Sequence, residues 1–402
     1  MTSIELDMIQ TAGIGALALL VGMVLTRKVA FLQKFCVPSP VSGGIIFSLI
    51  TLMLYGLYHV EVSFDGTLKD VFMLAFFTSV GFQSDLKVLK QGGKLLVIML
   101  VLLVVMIGMA ARSISMTGGH GTAGGFVSVL EGMGLQGAGT IGMAAATFGL
   151  IAGSMLGGPL AERIIRKKLT HEQMQPQDAE IDPAMAGIES DEASPAGREK
   201  RVSTNEQEFQ QYAKATYAIV LVMGGGTLLS WLFAKTGITF PTYFGALILA
   251  AIVRNTIGLV SYKEEGKWEK AEKLLDMERI ISVGNISLSM FLGMAMISLK
   301  LWELQSLALP LIVILAAQVL LMALFAYMVA FPLLGRNYDA AVLCAGMCGF
   351  GLGATPNAMA NMSAVCYKYR YTVKPFLIVP IIGAMFADLL NTGIITFFLN
   401  IL

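Results

Sequence analysis

The stretch Gly349-Phe-Gly-Leu-Gly-Ala-Thr-Pro356 and its shorter counterpart Thr117-Gly-Gly-His-Gly-Thr122 decide how this chain folds. Both lie in moderately apolar sequence, yet both hold too many glycine and polar residues for a good helix. Backbone of this kind is tolerated at membrane depth only where it is buried in protein or lines a water-filled cavity. The two stretches therefore predict a pair of buried or cavity-lining glycine-rich segments inside a membrane protein, with close helix packing as the alternative.

The composition around these stretches supports a membrane protein. Of the 402 residues, 56% are hydrophobic and 14% are charged, whereas soluble proteins average about 45–50% and about 25%. The net charge of +1 argues against a nucleic-acid partner, and four cysteines in apolar settings are too few for a disulfide framework. The chain is predicted to be an all-α polytopic membrane protein whose surroundings are the lipid bilayer.

Ten apolar runs predict ten spans. They are placed near residues 9–26, 41–58, 71–82, 95–111, 140–161, 213–233, 242–260, 281–300, 306–331 and 375–399. Between the two sets of five, residues 162–211 are polar and contain prolines, which predicts a flexible linker. A second polar patch, Lys263 to Arg279, is predicted to form a helix on the membrane surface.

The distribution of basic residues sets the orientation. With the N-terminus outside, the inside segments hold 24 of the 28 Lys and Arg residues. Both termini are therefore predicted to lie on the outer side of the membrane and the linker on the inner side.

The two halves resemble each other weakly, and each glycine-rich stretch follows the fourth span of its half. Five spans per half give the halves opposite orientations, an arrangement typical of secondary transporters. The predicted domains are therefore two inverted five-span repeats, residues 1–161 and 212–402. The glycine-rich stretches are expected to form loops near residues 113–130 and 340–360, with the linker at 162–211 between the repeats.

Few ionisable residues lie within the spans, and such residues are usually functional. Asp388 and Asn391 are three residues apart and share one helix face. A carboxylate beside an amide oxygen suits a hard cation such as sodium, although a structural hydrogen bond is the alternative. Asn285 and Ser287 could add oxygens at the start of the eighth span, and a helix cap is the alternative for Asn285. His120 could bind a carboxylate, carry a proton or orient its loop.

Enzyme motifs are absent from the sequence: it has no nucleophile elbow, phosphate loop or zinc-protease helix. The sequence therefore predicts a protein that is not an enzyme and needs no cofactor.

Several segments together resemble a known family over nearly the whole chain. They are Leu74-Ala-Phe-Phe-Thr, Gly118-Gly-His-Gly-Thr, Ala146-Thr-Phe-Gly-Leu with Gly157-Gly-Pro, Gly284-Asn-Ile-Ser-Leu-Ser with Leu299-Lys-Leu-Trp-Glu-Leu, Asn337-Tyr-Asp-Ala-Ala-Val-Leu, and Cys348-Gly-Phe-Gly-Leu-Gly-Ala-Thr-Pro-Asn-Ala-Met-Ala-Asn-Met362. By these segments the chain resembles the bacterial sodium/glutamate symporters. The resemblance implies glutamate uptake coupled to inward sodium flux, two inverted repeats each with a re-entrant hairpin, and a homodimer that works by an elevator motion.

The resemblance also implies where the substrate and sodium would bind, namely between the two hairpin tips. By position, the substrate residues would be Thr117, Gly118, Gly119, His120, Gly121, Thr122, Gly349, Phe350, Gly351, Leu352, Gly353, Ala354, Thr355 and Asn357, and the sodium residues Asn285, Ser287, Asp388 and Asn391. The alternatives are a sodium- or proton-coupled carrier of another dicarboxylate, such as citrate or malate, and more remotely a channel.

The first half is shorter than the second before its glycine-rich stretch. From Lys94 to Gly118 there are 24 residues, whereas the matching stretch from Glu303 to Gly349 has 46. Because one span needs about 20 residues, little chain is left for the descending arm of the first hairpin. The fourth span is expected to be short and to merge with the hairpin, or the first hairpin is incomplete.

Overall fold

A computed structural model describes residues 2–34, 37–85, 93–110, 114–135, 137–169, 205–235, 240–257, 260–264, 267–270, 275–304, 308–372 and 374–401. The first half forms β1 (Thr2–Leu6), α1 (Met8–Lys28), α2 (Ala30–Lys34), α3 (Ser39–Tyr58), β2 (Val60–Phe64), α4 (Thr67–Gln83), α5 (Gly93–Ala110), α6 (Ile114–Gly125), α7 (Val127–Gly132) and α8 (Ala138–Lys168). The second half forms α9 (Asn205–Ala234), α10 (Phe244–Ile257), β3 (Ser261–Glu264), β4 (Lys267–Lys270), α11 (Met277–Ile297), α12 (Ala308–Phe325), α13 (Tyr338–Leu352), α14 (Thr355–Lys368), α15 (Lys374–Ile381) and α16 (Asp388–Leu399). A 3₁₀ turn (Leu301–Leu304), two π-helical segments (Ala326–Ala330 and Ile382–Ala387) and the helical turn Phe331–Leu333 complete the second half.

The chain is mostly helical, as predicted, and each of the ten predicted spans coincides with a helix. Within the described residues, six helices are long and apolar enough to cross a membrane. Four further apolar helices are shorter, at 95–107, 244–257, 338–352 and 388–399. A polytopic helical membrane protein is therefore compatible with the structure.

Helices α1 and α3 cross in direct backbone contact. A Cβ atom on Gly22 would collide with the Ser39 carbonyl oxygen, and one on Gly43 would collide with that of Ala18. The strands β1 and β2 pair in parallel at one end of the two helices, with Thr2 opposite Val60. Helix α11 packs on the same pair, since Ser48 donates a hydrogen bond of 2.6 Å to the Met296 carbonyl oxygen. These helices form one wall beside the glycine-rich segments.

Helices α8, α13 and α14 pack closely against one another. Gly153 and Gly157 of α8 face the other two helices, and a Cβ atom on Gly157 would lie 2.7 Å from the Ala345 carbonyl oxygen. The close approach lets Asn357 and Asn361 of α14 donate to carbonyl oxygens of α8. Small residues here serve close packing.

Two local expectations are wrong. The polar patch is not a helix over its first part, because Ser261–Glu264 and Lys267–Lys270 pair as antiparallel strands. Glu264 stands opposite Lys267, and opposite charges favour such a cross-strand pair. The second glycine-rich stretch is also more helical than expected, since α13 continues through Gly349 and Gly351. Every residue of α13 is buried, so packing outweighs the low helix propensity of glycine.

The predicted linker lies mostly outside the described residues. Helix α8 extends to Lys168 and α9 begins at Asn205, so helix enters the predicted linker at both ends. Cys36, one of the four cysteines, also lies outside the described residues.

Candidate functional site

The first glycine-rich stretch contains a sharp break. Helix α6 has helical geometry on both sides of Gly119, whose φ of 62° and ψ of −162° are not helical. This combination is accessible almost only to glycine. Residues 114–118 therefore form a short arm that leads into a turn at Gly119 (the descending arm), and residues 120–125 form the arm that leads out of it (the ascending arm).

The second glycine-rich stretch joins two longer arms. Helix α13 ends at Leu352, Gly353 leaves the helical conformation, Ala354 is extended, and α14 begins at Thr355. A Cβ atom on Gly349 would lie 2.6 Å from the Ala358 backbone nitrogen, so glycine is needed where the two arms meet. This hairpin is the counterpart of the shorter first turn.

The two turns meet tip to tip. A Cβ atom on Gly119 would lie 3.4 Å from the Gly353 carbonyl oxygen. Beside this contact is a cavity of about 230 Å³. It is lined by Pro38, Phe76, Gly118, Gly119, His120, Gly121, Leu150, Leu288, Leu292, Phe350, Gly353, Ala354, Thr355, Pro356, Gly383, Ala387 and Asp388. The structure thus brings both glycine-rich stretches and the one predicted intramembrane carboxylate to a single cavity.

Asp388 reaches the cavity at the start of α16, directly after the π-helical segment Ile382–Ala387. Asn391 is buried one turn later, and its Nδ2 lies 3.4 Å from Thr122 Oγ1. A Cβ atom on Gly118 would collide with the side chains of Asn391 and Thr122. The predicted shared face of Asp388 and Asn391 therefore lies against the first turn.

His120 is buried beside the first tip. Its Nε2 lies 3.0 Å from Thr147 Oγ1, and the Thr147 hydroxyl lies 2.9 Å from the Met143 carbonyl oxygen. This contact ties the ascending arm to α8, so His120 both orients its turn and lines the cavity.

Other predicted residues lie away from the cavity or outside the description. Asn285 is exposed on α11, and Ser287 is buried but donates 2.9 Å to the Val283 carbonyl oxygen of its own helix. Gly351 faces Met106 and Met322. The side chain of Thr117 lies outside the described part of the chain.

Sequence reasoning missed the apolar wall of the cavity, formed by Phe76, Leu150, Leu288 and Leu292. No local signal distinguishes these residues from other buried apolar side chains. Gly383 was also missed, although it stands five residues before Asp388. A Cβ atom there would collide with Thr355, so Gly383 makes room for the start of α14.

The backbone gives the site charge of both signs. Helix α14 presents its N-terminus beside the cavity, and the helix dipole gives that end partial positive charge. The arm at residues 114–118 and helix α13 end beside the same cavity, and the free carbonyl groups at a helix C-terminus carry partial negative charge. Such an arrangement can bind carboxylates and cations together. Among the described residues, no group of His, Cys, Asp and Glu could hold a metal ion.

A second cavity, of about 290 Å³, lies at another end of the helices and is more polar. Lys69, Lys300, Glu131 and Glu303 line it. Lys300 Nζ lies 2.8 Å from Glu61 Oε1, and this hydrogen bond raises the pKa of Lys300. The two lysines belong to segments that charge asymmetry assigned to the outside.

Comparison with known proteins identifies the relatives of this chain. A sequence model of the family described as sodium/glutamate symporter matches residues 4–109 and 103–371. The two matched pieces overlap within the short stretch before the first turn. The chain is 36% identical over 421 aligned residues to a sodium/glutamate symporter of Escherichia coli (strain K12), covering 98% of each chain. It is 34% identical over 407 residues to a protein of that name from Haemophilus influenzae, covering 96% of this chain and 95% of the relative.

These relatives confirm the resemblance, and their family is one of transporters rather than enzymes. The matches extend over nearly the full length on both sides, and the glycine-rich turns lie within the matched residues. The chain therefore belongs to the sodium/glutamate symporter family.

Proposed function

We propose that this protein is a sodium-coupled symporter that imports glutamate across the bacterial inner membrane. The observation that carries the proposal is the tip-to-tip meeting of Gly119 and Gly353 beside one cavity that Asp388 also lines. The names of the relatives supply the substrate and the coupling ion.

Glutamate fits the chemistry of this cavity. One of its carboxylates fits the N-terminus of α14, because the partial positive charge of a helix N-terminus favours anions. The apolar wall around Phe76 and Leu288 contacts the methylene groups of the substrate and excludes water. Glycine at the tips lets the backbone itself approach the ligand.

Sodium supports glutamate binding by charge. Glutamate carries a net charge of −1, and burial of an uncompensated charge is costly. A sodium ion at Asp388 and Asn391 would offset the carboxylate of Asp388, so that the loaded site would carry a net charge of about −1 instead of about −2. Neither ligand then binds well alone, which is the basis of coupling.

The transport cycle is proposed to be an elevator motion of the turn-bearing domain against a scaffold. Support comes from the corresponding order of spans and turns in the two halves, which makes 1–161 and 212–402 inverted repeats around the linker 162–211. A homodimer, with both termini periplasmic and the linker cytoplasmic, completes the proposal.

The test is radiolabelled glutamate uptake into proteoliposomes, with and without an inward sodium gradient. Accumulation that requires sodium is expected. Flux that does not saturate or cannot accumulate glutamate would indicate a channel and overturn the proposal. Stronger competition by citrate or malate than by unlabelled glutamate would reassign the substrate to another dicarboxylate.

A further inference from the structure

Tyr243 joins three of the elements that surround the cavity. It is fully buried directly before α10, where the Leu247 backbone nitrogen donates 3.0 Å to the Tyr243 carbonyl oxygen. Its ring stacks on that of Phe77 of α4, with centroids 3.7 Å apart, and its hydroxyl lies 3.2 Å from Thr392 Oγ1 of α16. A Cβ atom on Gly125, at the end of the ascending arm, would collide with the ring. One side chain therefore contacts α4, α16 and the first turn.

The contact with α16 falls on the helix face that carries Asp388. Thr392 stands four residues after Asp388 and next to Asn391, so the three residues lie on one side of the helix. Asn391 contacts the ascending arm directly, and Thr392 contacts it through the ring of Tyr243. One turn of α16 is thus tied to the same arm by two separate contacts.

The rotation of α16 about its axis depends on such contacts. The helix follows the π-helical segment Ile382–Ala387, in which i→i+5 hydrogen bonds interrupt the regular α-helical ladder. The preceding helix α15 therefore does not fix the direction in which Asp388 points. Packing against neighbouring elements fixes it, and Thr392 supplies such a contact one turn after Asp388.

We infer that Tyr243 is a positioning residue for sodium, which sets the rotation of α16 so that Asp388 and Asn391 face the first turn. Among the described residues that line the cavity, Asp388 is present and Tyr243 is not, so Tyr243 acts through its contacts. The inference rests on the proposed function, which places sodium at Asp388 and Asn391. Ligands that are already oriented bind more tightly, because binding does not have to order them.

The chain offers a matched control in Tyr338, at the start of α13. Tyr338 is also buried, and its hydroxyl exchanges hydrogen bonds with the backbone of Arg370. This contact lies at the opposite end of α13 from the tip at Gly353. Tyr338→Phe therefore removes a buried tyrosine hydroxyl, as Tyr243→Phe does, but leaves the contact with α16 intact.

The experiment follows the thermal midpoint of the purified protein at a fixed glutamate concentration, in increasing sodium chloride, with potassium chloride holding the ionic strength constant. A ligand that binds the folded state raises the midpoint with its concentration. In Tyr243→Phe, the sodium concentration for half of the stabilisation should rise about 2–12-fold, the equivalent of the net contribution of one hydrogen bond. In Tyr338→Phe it should keep the wild-type value.

Thr392→Val tests the same contact from its other end, and it replaces Tyr243→Phe if that variant does not fold. It should raise the half-stabilising sodium concentration by a similar factor. Because each substitution removes the same hydrogen bond, the double variant should need no more sodium than either single variant.

Four results would overturn the inference: wild-type stabilisation that sodium and potassium share, an unchanged sodium response in Tyr243→Phe, an equal rise in Tyr338→Phe, or rises that add in the double variant. Glutamate is also titrated at saturating sodium. If only the glutamate response is weakened in Tyr243→Phe, the residue supports the substrate wall instead. Wild-type uptake is measured in parallel, so a protein that sodium stabilises but that does not accumulate glutamate would contradict the symporter proposal alone.

Discussion

Replacement of Gly119 by alanine tests whether contact between the tips is required for transport. Gly119 has φ 62° and ψ −162°, a conformation that costs a residue with a Cβ atom about 1–3 kcal/mol. The new methyl group would also lie 3.4 Å from the Gly353 carbonyl oxygen. If the turn relieves this strain by moving away from Gly353, the binding free energy of glutamate weakens by about the same amount. Since about 1.4 kcal/mol corresponds to tenfold, the KM for glutamate should rise by about 5–150-fold.

The assay is sodium-driven glutamate uptake into proteoliposomes containing equal amounts of wild type and variant. The matched control is Gly134→Ala, because Gly134 also has a positive φ, of 90°, but a Cβ atom there meets nothing within 4 Å. Gly134→Ala introduces backbone strain at a position away from the tips, so it should lower the thermal midpoint without changing the KM for glutamate. A folded Gly119→Ala protein with wild-type KM and maximal rate would refute the reasoning.

Three further substitutions test other parts of the molecule. Asp388→Asn removes a cavity carboxylate and should raise the half-saturating sodium concentration for uptake about tenfold or more; an unchanged value would remove Asp388 from the sodium site. Gly157→Leu places atoms 2.7 Å or less from the Ala345 carbonyl oxygen and against Asn361, so it should cost about 1–3 kcal/mol of unfolding free energy, seen as a lower thermal midpoint. Lys300→Met removes the ion pair between Lys300 and Glu61. Because the Lys300 side chain is 45% exposed, the substitution should cost at most ~1 kcal/mol of unfolding free energy. Because the pKa of Lys300 is raised in the folded protein, the stability difference between wild type and Lys300→Met should be full at pH values below the usual lysine pKa. It should vanish as the pH rises through the raised pKa.

The helices and the two turns were predictable because their signals are local. Apolar runs of about 20 residues mark spans, and glycine-rich sequence within apolar stretches marks re-entrant backbone. The common face of Asp388 and Asn391 followed from helix periodicity. The π-helical segment lies before Asp388, so it leaves the spacing of these two residues intact.

The partners of these residues were not predictable, because they depend on packing between distant segments. Periodicity gives a helix face but not its neighbour, so Asn285 was a candidate to add an oxygen to the sodium site of Asp388 and Asn391. The structure exposes Asn285 and places Asp388 at the cavity. The hydrogen bond from Asn357 to Leu150 joins residues 207 positions apart, and no pattern in one sequence indicates such a bond.

The short descending arm of the first turn restricts which helices can remain fixed during transport. Only nine residues lead from the end of α5 at Ala110 to Gly119, a reach of about 30 Å even when fully extended. Twenty residues lead from Leu333 to Gly353 in the second half. A large displacement of the first tip would therefore pull α5 along with it. Several valines of α5 are exposed, namely Val97, Val101, Val104 and Val105. This surface would slide through the hydrocarbon of the bilayer, so lipid acyl-chain length becomes a determinant of turnover rate.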